Sequence, residues 1–453
     1  MSDTRAAVST SFDFESYINN YTGYTRISRA LFIAKQRRTP ITLAIEAYKS
    51  ALKDVQELTF NTTKYTQILE QLNALLRSQN QPEIPIDEQW LKNTAKKCKQ
   101  TIDTLDAQLK VAKSHINKEE IRISHQEIGN FYYKKGDFAN ALKNYVRTRD
   151  YCIGSSHVLE MCFNTIKIYI DEGNFSHVIQ TYISRAESIP NVKDDADTIA
   201  RLRCCQAIVA LGMTSGSGVN SRSGGQQQPS DFYITKYRSI ANALTEISFE
   251  SATSTHNAVN DIISPNDIAI YGSLCALITY SRNELYTKVL NNVNFKSFLV
   301  MEPDLYHLVE SFYKSKYAVC FDLLENRFRP SLEMDMYLQP HHVETMIQLV
   351  REKSMVQYCL PYSVIDMRKM ATAFNMSLTT LEDELCALIA KKGKIAARID
   401  SHRKILRTNK QEKRSQAFEK SLLAGEDFEK STKALLLRLN MMKADLIVKN
   451  VKN

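Results

Sequence analysis

Chain breakers are scarce in this sequence, which has 13 glycines and 10 prolines among 453 residues. Because these two residues interrupt helices most strongly, their scarcity predicts a mainly α-helical chain with long helices. The sequence also lacks any run of the roughly 18 apolar residues that a membrane-spanning helix needs. We therefore expect no membrane among its partners.

Motifs of catalysis are missing as well. There is no GxxxxGK[ST], no GxGxxG and no HExxH, and the adjacent His341 and His342 point to different sides of a helix. The nine cysteines are scattered without a CxxC pair, which is typical of reduced, mostly buried thiols. We therefore expect no enzymatic activity, no metal and no cofactor. The first residues lack the basic-then-apolar order of a secretory signal, so we expect a cytoplasmic and nuclear location.

The formal net charge of +9 raises the possibility of nucleic-acid binding. Ten Lys or Arg residues fall between Lys391 and Arg414, against only Asp400 and Glu412. Many nucleic-acid interfaces interleave aromatic residues with basic ones, and this stretch has no such aromatic residues. Nucleic-acid binding therefore remains an alternative hypothesis, with residues 378–391 as the recognition helix.

A repeat with a spacing of 37 residues is the most informative feature of the sequence. Gly136-Asp137-Phe138 and Gly173-Asn174-Phe175 each separate two amphipathic segments. The matched positions are Gly129, Tyr132, Gly136, Asp137, Phe138, Ala141 and Tyr145 in the first copy, and Ile166, Tyr169, Gly173, Asn174, Phe175, Val178 and Tyr182 in the second. A period in the thirties of this kind predicts stacked helix–turn–helix pairs of the tetratricopeptide type, whose usual role is to hold other proteins.

The sequence divides into four predicted regions. Residues 1–115 form an N-terminal helical region, and residues 116–263 hold the repeats. A third helix pair is interrupted by a Gly/Ser/Gln-rich insertion at 213–230, which predicts a flexible loop. Residues 264–408 comprise a helical part, 264–340, and a predicted winged helix, 341–408. Residues 409–453 form C-terminal helices, which we expect Gly425 to separate.

The predicted winged helix consists of three helices, at 342–350, 365–374 and 378–391, closed by a β-hairpin. The hairpin, 394–407, would present unpaired backbone groups to a partner strand. The predicted interaction residues of this edge are Ile395, Arg398, Ile399, Ile405 and Arg407.

A second predicted interaction site lies in the C-terminal region. Apolar positions recur there with alternating steps of four and three residues, which is the pattern of a helix–helix seam. The predicted interaction residues are Phe428, Leu435, Leu439, Met442 and Leu446, with Thr432 completing the spacing. This seam either packs back on the winged helix or joins a bundle formed with other chains.

Helical repeats followed by a winged helix resemble the PCI-domain family, whose members are subunits of the proteasome lid, the COP9 signalosome and translation initiation factor three. Residues 264–272, 370–375 and 398–402 are similar to the signalosome branch of that family. The Gly/Ser/Gln-rich insertion departs from the family's compact repeat turn.

The resemblance implies a non-catalytic scaffold in a complex that removes Nedd8 from cullin-RING ubiquitin ligases through a different subunit. It also implies the partners: other signalosome subunits, especially the neighbouring PCI subunits 2 and 3, the C-terminal helical bundle, and indirectly cullin-RING ligases. A scaffold subunit of the proteasome lid is the alternative within the same family.

Overall fold

The computed structural model describes residues 13–36, 39–175, 177–190, 195–216, 229–253, 261–338, 340–390, 394–408, 413–444 and 446. The chain divides into two compact units, one ending at Ser354 and the other beginning at Met355. The first unit therefore takes in the N-terminal region, the repeats and the helices that follow them.

Helices make up the first unit. Their bounds are α1 Phe14–Asn19, α2 Gly23–Lys35, α3 Ile41–Leu58, α4 Thr62–Ser78, α5 Glu88–Ser114, α6 Lys118–Lys135, α7 Phe138–Thr148, α8 Ser155–Glu172, α9 His177–Glu187, α10 Ala196–Gly216, α11 Pro229–Thr245, α12 Phe249–Thr253, α13 Pro265–Thr279, α14 Arg282–Leu285, α15 Val293–Met301, α16 Pro303–Tyr313, α17 Tyr317–Asp322 and α18 Arg329–Glu333. Two π-helical turns, Tyr286–Leu290 and Leu323–Phe328, continue α14 and α17. A further helix, α19 Pro340–Cys359, contains the boundary between the units.

The second unit contains the winged helix and the C-terminal helix. Its elements are β1 Val364–Asp366, α20 Met367–Phe374, α21 Leu378–Ala390, β2 Ala397–Asp400, β3 Ile405–Thr408 and α22 Lys413–Lys443. The predicted fold class, a mainly helical repeat solenoid followed by a winged helix and a C-terminal helix, is confirmed.

The predicted repeat turns end the first helix of each pair. Gly136 and Gly173 adopt φ values of 82° and 72°, the left-handed conformation that glycine takes without a steric penalty. In the first pair, Asp137 then caps α7 by accepting a hydrogen bond from the Asn140 N–H at 3.2 Å. Gly129 faces the Tyr145 ring so closely that a Cβ atom there would lie 2.6 Å from ring carbon Cε1. The small residue is therefore needed where α6 and α7 cross.

The second helices of the repeat are offset by one residue from the predicted register. Ala141 and Tyr145 are buried in α7, and the corresponding buried residues of α9 are Ile179 and Ile183, which lie 38 rather than 37 positions further on. Val178, the partner that the 37-residue spacing assigns to Ala141, is exposed. A shift of one residue corresponds to a rotation of the helix by about 100°, and so changes which side chains face the core.

The predicted third helix pair corresponds to α10 and α11. Its adjacent Cys204 and Cys205 are both fully buried, as expected of core residues. Most of the predicted insertion, residues 217–228, lies outside the described residues.

The winged helix contains a strand that the sequence interpretation assigned to a helix. The helix predicted at 365–374 begins at Met367, because Val364–Asp366 pairs with β3 instead. Ile365 lies opposite Leu406 in that pairing, and both side chains are buried. Asp366 ends the strand and caps α20 by accepting a hydrogen bond from the Arg368 N–H at 2.9 Å. A single apolar position thus favours the sheet over one more helical turn.

Over its described residues, the C-terminal region forms one helix and not two. α22 continues through Gly425, and nothing lies within 4 Å of the position that a Cβ atom would occupy there. A single glycine in an exposed helix costs only about 1 kcal/mol relative to alanine, which is too little to end a helix of this length. The predicted break at Gly425 is therefore wrong.

Candidate protein-interaction surfaces

The hairpin residues predicted from sequence occupy different positions in the sheet. The strand order is β1-β3-β2, so β3 pairs on both sides. Ile405 and Arg407 lie on this central strand, whereas Arg398 and Ile399 lie on β2 and Ile395 is buried just before it. Among the described residues, backbone groups for strand addition are thus available along the outer edges of β2 and β1, but not along β3.

One face of the sheet is exposed and basic. Arg407 lies opposite Arg398 on β2 and opposite Val364 on β1, and all three side chains are exposed. Like charges directly across a strand pair repel each other, so this face gains from a partner with negative charge. The sheet therefore offers both an edge and a positively charged face.

The predicted recognition helix is poorly suited to nucleic acid. Residues 378–390 contain no lysine or arginine but three carboxylates, Glu382, Asp383 and Glu384. The Nζ atom of Lys404 donates a hydrogen bond to Oε1 of Glu382 at 2.5 Å, while Asp383 is exposed. These carboxylates would oppose a phosphate backbone, on which nucleic-acid affinity mainly depends. Part of the basic stretch, residues 391–393 and 409–412, lies outside the described residues.

The apolar residues of the C-terminal seam are all exposed. Every residue from Arg414 to Lys443 is exposed, so within the part of the chain that is described α22 does not pack back on the winged helix. The predicted residues have exposed fractions of 74% for Phe428, 61% for Leu435, 41% for Leu439, 44% for Met442 and 71% for Leu446. Leu446 follows the end of α22. An apolar helix face this large marks an interaction surface.

A second apolar stripe on α22 was not predicted. Leu437 is nine residues beyond Phe428, so it lies about 180° around the helix. Leu423 and Met441 fall on the same side as Leu437, and all three side chains are exposed. The stripe could have been predicted from the sequence by noting the apolar residues of this helix that lie outside the seam. A helix that is apolar on opposite faces is usually covered by other protein segments on both sides.

Most of the cysteines are packing residues. All nine are free thiols, and six of them are buried. Burial raises the pKa of Cys359 to about 11 and that of Cys320 to about 12, so neither forms the thiolate that nucleophilic catalysis needs. Within the described ranges, no group of three or more His, Cys, Asp or Glu residues could hold a metal ion. No helix in those ranges is both long and apolar enough to cross a bilayer.

Family profiles match the chain in the same order as its structural parts. The profile described as "26S proteasome subunit RPN7" matches residues 87–216, and "PCI domain" matches residues 323–410. The profile "COP9 signalosome complex subunit 1, C-terminal helix" matches residues 413–438, within α22. The helical solenoid, the winged helix and these matches together define a PCI-domain protein.

Full-length relatives identify the branch of the family. COP9 signalosome complex subunit 1 of Arabidopsis thaliana is 34% identical over 95% of this chain and 90% of its own length. Subunit 1b of Drosophila melanogaster is 34% identical over 97% of this chain and 87% of its own length. The 26S proteasome non-ATPase regulatory subunit 6 of Caenorhabditis elegans is 21% identical over 72% of this chain and 73% of its own length. The chain belongs to the COP9 signalosome subunit 1 family.

Proposed function

We propose that this chain is a non-catalytic scaffold of a COP9 signalosome, which removes Nedd8 from cullin-RING ubiquitin ligases through the active site of another subunit. The observation that carries the proposal is α22, whose apolar residues are exposed on two opposite faces. A helix of this kind is stable in water when other helices cover it, and a bundle with the C-terminal helices of other subunits would do so.

The winged helix would provide a second contact. The outer edge of β2 offers the backbone groups of Ala397 and Ile399 to a neighbouring subunit, because those of Arg398 face β3. PCI subunits 2 and 3 are the proposed neighbours. The exposed side chains of Arg398 and Arg407 would then face acidic groups of that neighbour. We propose that the complex works in the cytoplasm and the nucleus.

Affinity purification of the tagged full chain from its own cells tests the proposal. We expect PCI subunits, a metalloprotease subunit and cleavage of cullin–Nedd8 by the eluate. Recovery of proteasomal ATPase subunits without that cleavage would instead assign the chain to the proteasome lid. Cleavage of cullin–Nedd8 by the purified chain alone would contradict a non-catalytic role.

A double variant tests the role of α22 in assembly. Leu435→Asp with Leu439→Asp places charges on one apolar stripe, and burying them in a bundle costs several kcal/mol. We expect recovery of the other subunits to fall at least about tenfold. Lys420→Asp with Ser431→Asp is the matched control, because both residues lie on the polar side of the same helix. Undiminished recovery with the first variant would contradict bundle assembly through α22.

A further inference from the structure

An open groove lies beside β1 in the second unit. Its volume is about 530 Å³. It is lined by Tyr358, Tyr362, Val364, Ile365, Asp366, Arg368, Lys369, Arg403 and Ile405. The sheet, the start of α20 and the hairpin turn thus contribute its walls.

The groove carries an excess of positive charge. Arg368, Lys369 and Arg403 are exposed, and among the described residues none of their charged groups has a carboxylate within 4 Å. The one acidic lining residue, Asp366, already accepts the N–H of Arg368 as the cap of α20. Asp400, at the start of the hairpin turn, interacts with Arg403 and accepts its backbone N–H at 3.1 Å. Three exposed cations against these two engaged carboxylates favour a ligand that brings its own negative groups.

The floor and rim of the groove are aromatic and apolar. The Tyr358 and Tyr362 rings lie 5.8 Å apart between centroids, and Tyr358 also packs edge-on against Phe374 at 5.7 Å. Tyr362 and Val364 remain 51% and 56% exposed. One ring is therefore held in place while its neighbour is open to a ligand side chain, as in pockets that take an apolar anchor.

The backbone of β1 favours a polypeptide as the ligand. Its inner side pairs with β3, and no strand of the described residues covers its outer side. An extended segment can add its own N–H and C=O groups to such an edge. A nucleic acid lacks the backbone N–H groups that such pairing needs.

We propose that this groove binds an acidic peptide segment of a partner protein in extended conformation. Carboxylates of the segment would pair with Arg368, Lys369 and Arg403, and an apolar side chain would pack on Tyr362. The site goes beyond the proposed scaffold role, because it uses neither α22 nor the outer edge of β2. The chain would thus have a separate attachment point for an acidic tail or loop.

Binding of synthetic peptides to the purified full chain tests this site. The probe is a fluorescein-labelled peptide, Gly-Glu-Asp-Phe-Glu-Asp-Gly, and its binding is followed by fluorescence anisotropy at low and physiological salt. The Gln/Asn version, Gly-Gln-Asn-Phe-Gln-Asn-Gly, tests the charge, and the version with Ala for Phe tests the apolar anchor. We expect the acidic Phe peptide to bind at least about tenfold more tightly than the Gln/Asn version.

Charge-reversal variants locate the binding. Arg368→Glu with Arg403→Glu is expected to weaken binding of the acidic Phe peptide at least about tenfold. Lys420→Glu with Arg438→Glu makes the same change of charge in the same unit, on the polar side of α22 and outside the groove, and should change the affinity less than about twofold. All four residues are exposed, so the variants should keep the circular dichroism melt of the parent. Tyr362→Ala should remove the advantage of the Phe peptide over its Ala version.

Several outcomes would overturn the proposal. They are absence of binding by the acidic Phe peptide, equal binding of the Gln/Asn version, an equal loss in the two charge-reversal variants, and tighter binding of an oligothymidylate of the same charge. The last outcome would point to a general polyanion surface. The scaffold proposal is tested separately by co-purification, so failure of one leaves the other standing.

Discussion

The guanidinium group of Arg29 in α2 donates a hydrogen bond to the carboxylate of Asp267 in α13, at 2.8 Å and across 238 positions of the sequence. The same guanidinium reaches Asp335 at 3.2 Å and lies 4.1 Å from the centroid of the Tyr21 ring. Arg29 is only 1% exposed. This buried contact ties the N-terminal helices to the helices just after the repeats.

Removing the Arg29 charge should destabilise the first unit. Arg29→Met leaves the carboxylates of Asp267 and Asp335 buried without their cation, which typically costs about 3–5 kcal/mol. Urea unfolding followed by circular dichroism measures the change. Lys53→Met is the control, because it removes an exposed ion pair with Glu57 and should cost about 0.3–0.5 kcal/mol. A cost below about 1 kcal/mol for Arg29→Met would contradict the importance of this buried contact.

The two repeat glycines should differ in their tolerance of alanine. Both have positive φ, so either substitution carries a backbone cost of about 1–2 kcal/mol. At Gly136 a Cβ atom would also lie 1.9 Å from Nδ2 of Asn61, the residue that caps α4. At Gly173 nothing lies within 4 Å. We therefore expect Gly136→Ala to be the more destabilising of the two in thermal unfolding, and equal costs would contradict the contact with Asn61.

Asp171 should make stability depend on pH. Burial raises the pKa of its carboxyl group to about 6, although Tyr133, Lys167 and Lys64 lower it. The folded chain therefore keeps this proton at pH values where the unfolded chain loses it. The contribution of Asp171 to stability is present below about pH 4 and is lost as the pH rises through about 6.

Asp171→Asn removes this titration while keeping an oxygen that can accept the Tyr133 hydroxyl proton. We expect the variant to gain in melting temperature relative to the parent between pH 4 and pH 7, by the equivalent of about 1–3 kcal/mol. The ion pair of Lys167 with Asp261, at 2.6 Å, stays in place in both proteins. A melting-temperature difference that does not change with pH would show that Asp171 titrates normally.

The second apolar stripe of α22 should matter for assembly as much as the first. Leu437→Asp with Met441→Asp places charges opposite the seam of Phe428, Leu435 and Leu439. If other helices cover α22 on both sides, recovery of partner subunits should fall at least about tenfold, as for the seam variant. Since both residues are exposed in this chain, its own melting curve should not change. Normal recovery would mean that only one face of α22 is covered.

Local patterns predicted much of the fold. Gly136 and Gly173 marked the ends of α6 and α8, and the four-three spacing from Phe428 to Met442 marked a helical seam. Such signals depend on residues a few positions apart, so they can be found without knowing the tertiary structure. The signal failed at β1, where a strand of only three residues has no period to detect. It also failed at Gly425, where one glycine does not outweigh the flanking helix.

The candidate surfaces required the tertiary structure. The hairpin residues were predicted, but the strand order that makes β3 central and leaves β1 as an edge depends on a pairing between Ile365 and Leu406, which are far apart in sequence. The groove beside β1 follows from that pairing, because Arg403 of the hairpin and Arg368 of α20 then line the same groove. Neither residue stands out in the sequence.

The sequence by itself determined that this chain is a helical-repeat protein with a winged helix, a C-terminal apolar helix and the stretches of a PCI-family member. These features depend on the local order and spacing of residues, which determine the backbone conformation and the amphipathic faces of the helices. Only the tertiary structure decided that Arg29 pairs with Asp267 and Asp335, that Asn61 packs against Gly136, and which strand edges stay open. Those contacts join distant segments, and their energies depend on burial and geometry that exist only after the chain has folded.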